Sequence, residues 1–495
     1  MSDVAAGAGP AQGLRWGTPA ARWVLLATVM GSGLTFVDST SVNVALPALG
    51  RDLDADVAGL QWTLNSQTLT LAALILLGGS LADRFGRRRV FLIGVVWFAV
   101  ASALCGLAPN LEVLVAARAL QGVGGALLSP GSLAILQASF ARGERARAIG
   151  AWSGLSGIAA AAGPLIGGWL IATLSWRWIF LVNLPLAVVV VAVAARHVPE
   201  TRDLTSARGF DVAGAVLAAG GLTGVTWALI EAGARGASTP AVAAGVAGLV
   251  ALVAFVGVER RSRHPLLPPS IFSSRQFTSA NLVTLAVYAG MRGMFFLLAV
   301  FLQQVLGYSA LAAGAAIVPV TLLMLVLSER VGQLAERVGP RLPLSAGPLV
   351  MAAGLALMTR FDASVSYVTA VLPAVVLFGL GLACTVAPLT ATVLAAADER
   401  HGGIASGVNN AVARGAGLLA VAVLPALAGL TGDAYLDPAA LTAGFHTAVA
   451  YSAGLVALGG LLAAVTIRNG PNACPATQMA RHHHCAVDGP PVEPR

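Results

Sequence analysis

Long apolar segments recur along nearly the whole chain, and their length constrains the fold more than any other feature. Each is long enough to cross a bilayer as an α-helix, for which about 20 apolar residues suffice. A backbone inside the bilayer must satisfy its own hydrogen bonds, which favours helices. Only 11% of the 495 residues are charged, against about 25% in soluble proteins. The sequence therefore predicts an all-α polytopic membrane protein.

The apolar segments predict fourteen transmembrane helices, numbered 1 to 14 in chain order. They span 23–49, 60–81, 90–107, 111–136, 148–174, 178–195, 212–232, 241–258, 277–305, 311–331, 342–358, 367–397, 404–430 and 441–467. An even number of crossings puts both termini on one side of the membrane.

The distribution of arginines predicts which side that is. The termini and the loops that follow even-numbered helices carry 23 arginines, and the opposite loops carry four. Because positive residues are retained in the cytoplasm, both termini are expected there, with the chain in the inner (plasma) membrane. The net charge of +8 lies in short loops, which argues against a nucleic-acid partner. The other three arginines, Arg118, Arg292 and Arg414, lie inside predicted helices.

The chain contains an internal repeat. The stretch 332–339 (GQLAERVG) echoes 79–86 (GSLADRFG) at an offset of 253 residues, and a second match, between 144–149 and 399–404, has an offset of 255. Two matches at nearly one offset indicate duplicated halves around a central site. Because the offset spans eight helices, two six-helix bundles with two inserted helices are predicted. The expected divisions are an N-terminal tail (1–21), an N-terminal bundle (22–196), an insertion (197–275), a C-terminal bundle (276–467) and a C-terminal tail (468–495).

One acid, Asp38, lies deep in helix 1. An ionisable residue at membrane depth is costly and usually serves a function, and such a carboxyl can exchange one proton as its access to water changes. Arg118 on helix 4 lies at a compatible depth and is its predicted partner. The alternatives are an Asp that only hydrogen-bonds neighbouring helices and an Arg tied to backbone carbonyls.

The end of helix 2, the turn after it and helix 5 contain the residues expected to control conformational change. The turn after helix 2 contains glycine and several arginines, and Asp83 could pair with Arg84 and so hold the ends of the two neighbouring helices together. Pro164 should bend helix 5, whose glycines favour close helix crossings. The predicted gating residues are Gly79, Asp83, Arg84, Gly86, Arg87, Gly163, Pro164, Gly167 and Gly168.

These motifs resemble those of the major facilitator superfamily, in particular its fourteen-helix drug:proton antiporters of the EmrB/QacA type, over roughly residues 22 to 467. The stretch 79–89 is similar to the family's loop between helices 2 and 3. The resemblance also covers an acid motif on helix 1, carried by Asp38, Asn43 and Pro47. A basic motif on helix 4 is carried by Arg118, Gln121 and Gly122. An antiporter motif on helix 5 is carried by Gly163, Pro164, Gly167 and Gly168. Helix 2 departs from the family, since Gln67 stands where the family often has Tyr.

The resemblance implies a proton-coupled antiporter that exports small organic molecules, such as an antibiotic or several drugs. The candidate substrate contacts are Asn43, Gln67, Gln121 and Arg292. The expected partners are the substrate, protons and the lipid bilayer, for a monomer that is not an enzyme and needs no cofactor or metal. A facilitator or importer, or a membrane sensor without transport, remains the alternative.

The charges inside the helices predict the charge of the substrate. One deep acid, Asp38, stands against three arginines. If Asp38 carries the proton, no carboxylate remains to compensate a dicationic substrate. A neutral, zwitterionic or anionic substrate is therefore expected, with Arg292 as a contact unless Arg292 and Arg414 face helix interfaces.

Overall fold

The computed structural model describes residues 13–202, 211–262, 267, 269–396, 402–430 and 437–469. Most of the two predicted tails therefore lies outside the described residues. The helices are α1 Pro19–Asp52, α2 Val57–Phe85, α3 Arg87–Gly106, α4 Leu111–Ser139, α5 Arg145–Thr173, α6 Trp178–His197, α7 Val212–Arg235, α8 Thr239–Arg261, α9 Arg275–Gln304, α10 Ala310–Val338, α11 Arg341–Met358, α12 Tyr367–Ala395, α13 Gly402–Leu427 and α14 Pro438–Thr466.

These helices have the length and composition of membrane spans. Thirteen of the described helices qualify individually, and α2, which bends by 52° between its segments Val57–Ile75 and Leu77–Phe85, makes the fourteenth. They correspond one to one with the predicted helices 1 to 14. The predicted all-α polytopic fold is confirmed.

Capping side chains, rather than hydropathy, set where several helices begin. Thr18, Asp56 and Asn110 each accept a hydrogen bond from the backbone amide three residues later, at 3.3, 2.8 and 3.0 Å. Such caps satisfy amides that have no partner within the helix. Consequently α1 and α2 begin at Pro19 and Val57, and the predicted starts at 23 and 60 were several residues too late.

Helix packing repeats between the two halves. In the N-terminal bundle (α1–α6), α1 packs on α5 and α6, α4 packs on α2 and α3, and α3 packs on α6. In the C-terminal bundle (α9–α14), α9 packs on α13 and α14, α12 packs on α10 and α11, and α11 packs on α14. Each pairing recurs eight helices later, as expected of a duplicated fold.

The two additional helices differ in burial. α7 packs against α8 and also against α2 and α13, so it lies beside the junction of the bundles. Only 11% of the residues in the apolar stretch of α8 are buried inside the protein. This helix therefore presents an apolar surface of the kind that lipid covers.

Two matching turns carry a glycine with a left-handed backbone. Gly86 (φ 108°) joins α2 to α3, and the two Glu200 carboxylate oxygens accept bonds at 3.1 Å from the backbone amides of Arg88 and Arg89. Gly339 (φ 86°) joins α10 to α11, where Asn469 accepts a bond from the Arg341 amide at 3.1 Å. In both halves, the residue that caps the turn follows the bundle's last helix.

The Gly86 turn gives the first testable prediction. A Cβ at Gly86 would lie 2.6 Å from the Glu200 carboxylate, whereas one at Gly236 (φ 83°) would meet no atom of the described residues within 4 Å. Gly236→Ala should cost about 1 kcal/mol through backbone strain. Gly86→Ala should cost about 1–2 kcal/mol more, because the Glu200 cap is displaced. Unfolding of the two variants in detergent compares them, and equal losses would show that Glu200 moves aside freely.

Candidate functional site

Asp38 lies at the centre of a network in the N-terminal bundle and is only 1% exposed. Its Oδ2 accepts hydrogen bonds from Arg118 Nη1 at 2.6 Å and from Gln67 Nε2 at 3.0 Å. Its Oδ1 accepts bonds from Gln121 Nε2 at 2.8 Å and from Asn183 Nδ2 at 3.2 Å. The carboxylate thus draws α1, α2, α4 and α6 together.

Arg118 is as deeply buried as its partner, at 1% exposure. Its Nε donates to the Thr63 carbonyl at 3.0 Å, and its Nη1 also donates to Gln121 Oε1 at 2.7 Å. The guanidinium carbon lies 5.6 Å from the ring centre of Phe180. A buried cation is tolerated when it is paired and hydrogen-bonded in this way. The structure brings Asp38 and Arg118 into direct contact, and their part in proton coupling stays a prediction.

The network includes residues that sequence reasoning did not assign to it. Asn183 on α6 and Ser102 on α3 were not among the predicted site residues. The Ser102 hydroxyl accepts bonds from Gln121 at 2.7 Å and from Asn183 at 3.4 Å. The sequence feature that could have identified them is a polar side chain within an apolar helix, because such a side chain often forms a hydrogen bond to another helix.

A small cavity lies between the two bundles beside this network. About 20 Å³ of it is open to a water-sized molecule, and it is lined by Ser39, Asn43, Leu64, Asn65, Gln67, Thr68, Arg118, Arg292, Gly417, Leu418 and Val421. Of the four predicted substrate contacts, Asn43, Gln67 and Arg292 line it. Gln121 does not, because it is fully buried behind Arg118. Asn65 was not predicted, and its buried Nδ2 has no hydrogen-bond partner among the described residues.

The glycines of α5 divide into a packed set and an open set. The Gly163 carbonyl accepts a bond from Ser41 Oγ at 2.7 Å. A Cβ at Gly167 would lie 2.8 Å from Ser41 Cβ, and one at Gly168 would lie 2.6 Å from Leu311 Cα of α10. At Gly150, by contrast, a Cβ would meet no atom within 4 Å in the described part of the chain. The predicted gating glycines of α5 thus lie in close contact with neighbouring helices, Gly163 and Gly167 with α1 and Gly168 with α10.

Pro164 completes this contact from the other side. A Cβ on Gly314 of α10 would collide with the Pro164 carbonyl. The proline therefore sits where α5 of one bundle meets α10 of the other. Gly154 and Gly157, nearer the start of α5, face open space as Gly150 does.

Hydrogen bonds join the bundles at one end of the molecule. Gln61 Nε2 on α2 donates to the Val421 carbonyl on α13 at 2.7 Å, and Gln303 Nε2 on α9 donates to the Val44 carbonyl on α1 at 3.0 Å. Both lie toward the end opposite the arginine-rich turns. Together with the α5–α10 contact, they close the protein at that end. Neither glutamine was predicted.

The predicted gating turn is held together differently from what the sequence suggested. Asp83 Oδ1 forms its ion pair with Arg87 Nη2, at 2.8 Å. Arg84 was the expected partner, but its guanidinium lies over the Phe85 ring at 5.5 Å. The reason is geometric: Asp83 lies in the last turn of α2 and Arg87 is the first residue of α3, and the left-handed backbone at Gly86 brings the two side chains together. Gly79 lies on the side of α2 that faces α4, where a Cβ would be 3.8 Å from Pro130.

The sequence matches the family model described as Major Facilitator Superfamily over residues 28–422. Among curated proteins, it is 38% identical to the "Puromycin resistance protein pur8" of Streptomyces alboniger, covering 84% of this chain and 83% of that protein. It is 36% identical to the "Tetracenomycin C resistance and export protein" of Streptomyces glaucescens, covering 86% and 79%.

Solved structures share the fold. A bacterial homologue of the human lysosomal transporter Spinster, in an inward-facing and unoccupied conformation, superposes with a TM-score of 0.62 at 18% identity. The match covers 91% of this chain and 97% of that one. At this level of identity the likeness concerns the fold alone.

Proposed function

We propose that this chain, which belongs to the Major Facilitator Superfamily, exports small organic molecules in exchange for protons. It is a drug exporter, as its relatives are named for resistance and export. Proton coupling is our proposal. The observation that carries it is the buried Asp38–Arg118 ion pair, with an N–O distance of 2.6 Å beside a cavity between the bundles.

The proton step takes place at the Asp38 carboxylate. When water reaches the pair, a proton binds Oδ1 or Oδ2 and the carboxylate becomes a neutral acid. The ion pair with Arg118 is lost, and one of the four accepted hydrogen bonds is replaced by a donated one. Because Asp38 connects four helices, protonation changes which packing of the N-terminal bundle is preferred. A group that is charged in one state and neutral in the other can therefore couple proton movement to conformation.

The conformational step is a rocking of the two bundles about the central cavity. The end opposite the arginine-rich turns is closed by Gln61, Gln303 and the α5–α10 contact. Release on that side requires Gly168 and Leu311 to separate and the glutamine bonds to break. The glycines of α5 give smooth surfaces that permit such a motion.

The arginine asymmetry supports the orientation of this cycle. With 23 arginines on one side and four on the other, we assign the arginine-rich end and both termini to the cytoplasm of a plasma-membrane protein. The described end closure then faces outward, and the cavity receives substrate from the cytoplasm. We further assign a monomer, with protons, lipid and the exported molecule as its partners.

Expression in a drug-sensitive host without its own exporters tests the function. We expect resistance to at least one antibiotic in a panel that includes puromycin and tetracenomycin C. A protonophore should abolish active efflux of that drug. Drug accumulation that is unchanged by the protein across the panel, or efflux that survives a protonophore, would contradict proton-coupled export.

Replacing Asp83 in the α2–α3 turn should slow export without weakening drug binding. The Asp83–Arg87 pair is a half-exposed (i, i+4) pair in the turn that must move when the bundles rock. Its loss should shift the balance between the two end states, and we expect Asp83→Asn to reduce the export rate about fivefold or more.

The pair Glu231–Arg235 provides the matched control, because it has the same (i, i+4) spacing and an N–O distance of 2.6 Å at the opposite end. Glu231→Gln should leave export nearly unchanged, since exposed pairs of this kind contribute about 0.3–0.5 kcal/mol. Efflux rate and drug binding, measured for both variants, decide the matter. If Asp83→Asn and Glu231→Gln have the same efflux rate, the turn at Asp83 only helps to orient the chain in the membrane and does not control transport.

A further inference from the structure

Two arginines lie in the same part of the C-terminal bundle, and neither forms an ion pair with an acid among the residues that the structure describes. Arg292 on α9 lines the cavity, and its Cγ would lie 2.8 Å from a Cβ on Gly417 of α13. Arg414 lies one helical turn before Gly417 on the same helix. Tyr288, one turn before Arg292 on α9, packs against a buried cluster that includes Ala416 of α13. These three residues are called the arginine cluster below.

The cluster has no counter-charge within the described residues. The ion pairs identified there involve other arginines: Arg87, Arg88, Arg118, Arg177 and Arg235. The Nε of Arg414 is fully buried and has no hydrogen-bond partner there. Arginine cannot shed its charge by losing a proton. Two uncompensated cations inside a membrane protein are costly unless an anion joins them.

The internal repeat makes the contrast with Asp38 direct. Arg292 follows Asp38 by 254 residues, within the 253–255 offset that relates the two halves. The same position of the fold thus carries an acid in α1 and a base in α9. In the N-terminal half, the charge is neutralised by Arg118. In the C-terminal half, the side chain faces the cavity instead.

We propose that the arginine cluster binds the anionic group of the exported molecule, so that the cargo is a small organic anion such as a carboxylate on an apolar body. This inference rests on the proposed export function and adds the substrate class. Arg292 contacts the anion, because its guanidinium can present two parallel donors to a carboxylate. Arg414 adds a second positive charge to this part of the bundle. Leu64, Leu418 and Val421 supply the apolar wall of the cavity.

Binding of salicylate and of salicylamide to the purified chain tests the proposal. The two molecules have nearly the same shape, and only the first is an anion. In nanodiscs of phosphatidylcholine, calorimetry should give salicylate a Kd at least about tenfold lower than that of salicylamide, a difference of about 1.4 kcal/mol. Arg292→Gln should remove this preference and leave salicylamide binding unchanged. Arg414→Gln should reduce it, and Arg292→Lys should retain part of it.

The ligand-free stability of the same variants separates a binding role from a structural one. Because Arg292→Gln removes an uncompensated cation, it should raise the unfolding midpoint of the empty protein. A purely structural arginine would do the reverse. Arg360→Gln, at an exposed position after α11, is the control and should change neither affinity nor midpoint.

Several outcomes would overturn the proposal. They are equal affinity for the two probes, no salicylate binding, an unchanged preference in Arg292→Gln, and a lowered midpoint in that variant. Stabilisation that appears only when phosphatidylglycerol is added would assign the cluster to a lipid headgroup instead. Since no proton gradient is used, the result does not depend on proton coupling.

Discussion

Asp38→Asn is expected to reduce drug export and resistance to the level of cells that lack the protein. Asparagine cannot take up or release a proton, so the cycle has no coupling group. The protein should nevertheless fold, because the proposed cycle already passes through a neutral Asp38 of nearly the same shape. Export in cells and the amount of protein in the membrane are the two measurements.

The control for this variant lies on the same helix. Asp52 also pairs with an arginine, Arg177, at 2.7 Å, but its side chain is 48% exposed at the end of α1. Asp52→Asn should cost no more than about 1 kcal/mol of stability and should retain export. Export that persists in Asp38→Asn at wild-type levels would remove Asp38 as the proton carrier.

Arg118→Gln should destabilise the protein strongly. It leaves the Asp38 carboxylate buried at 1% exposure without its cation, and breaking a buried pair in this way costs about 3–5 kcal/mol. Export should be lost as well. The unfolding midpoint of the purified protein measures the first effect.

A double-mutant cycle isolates the pair from other effects of the substitution. Combining Arg118→Gln with Asp38→Asn removes both charges, so most of the lost stability should return while export stays absent. If the two losses simply add, the residues are energetically independent. In that case the 2.6 Å contact would not be the interaction that holds α1 against α4.

The sequence was most informative where burial is most costly. A charged residue inside an apolar helix must find a partner, so Asp38 and Arg118 could be predicted as a pair. Neutral polar residues carry a weaker signal, because an Asn, Gln or Ser in a helix can bond its own backbone or another helix. Asn183, Gln61 and Gln303 were therefore not assigned, since their partners depend on how the helices are arranged.

Local geometry explains the remaining differences between prediction and structure. The pairing of Asp83 with Arg87 rather than Arg84 depends on the left-handed backbone at Gly86, which joins α2 to α3. The capping of that turn by Glu200 joins residues more than 100 positions apart, and no periodic pattern records such a contact. Arg292 was identified as a cavity residue from its charge, but its proximity to Arg414 required the packing of α9 on α13.

Substrate-driven proton movement tests the central claim most directly. The purified protein is placed in vesicles with an acidic interior and a pH-sensitive dye, and a drug to which it confers resistance is added outside. We predict that the drug enters as protons leave, so the interior becomes more alkaline with wild-type protein and does not change with Asp38→Asn. Drug uptake by wild-type protein without any change of internal pH would contradict the account.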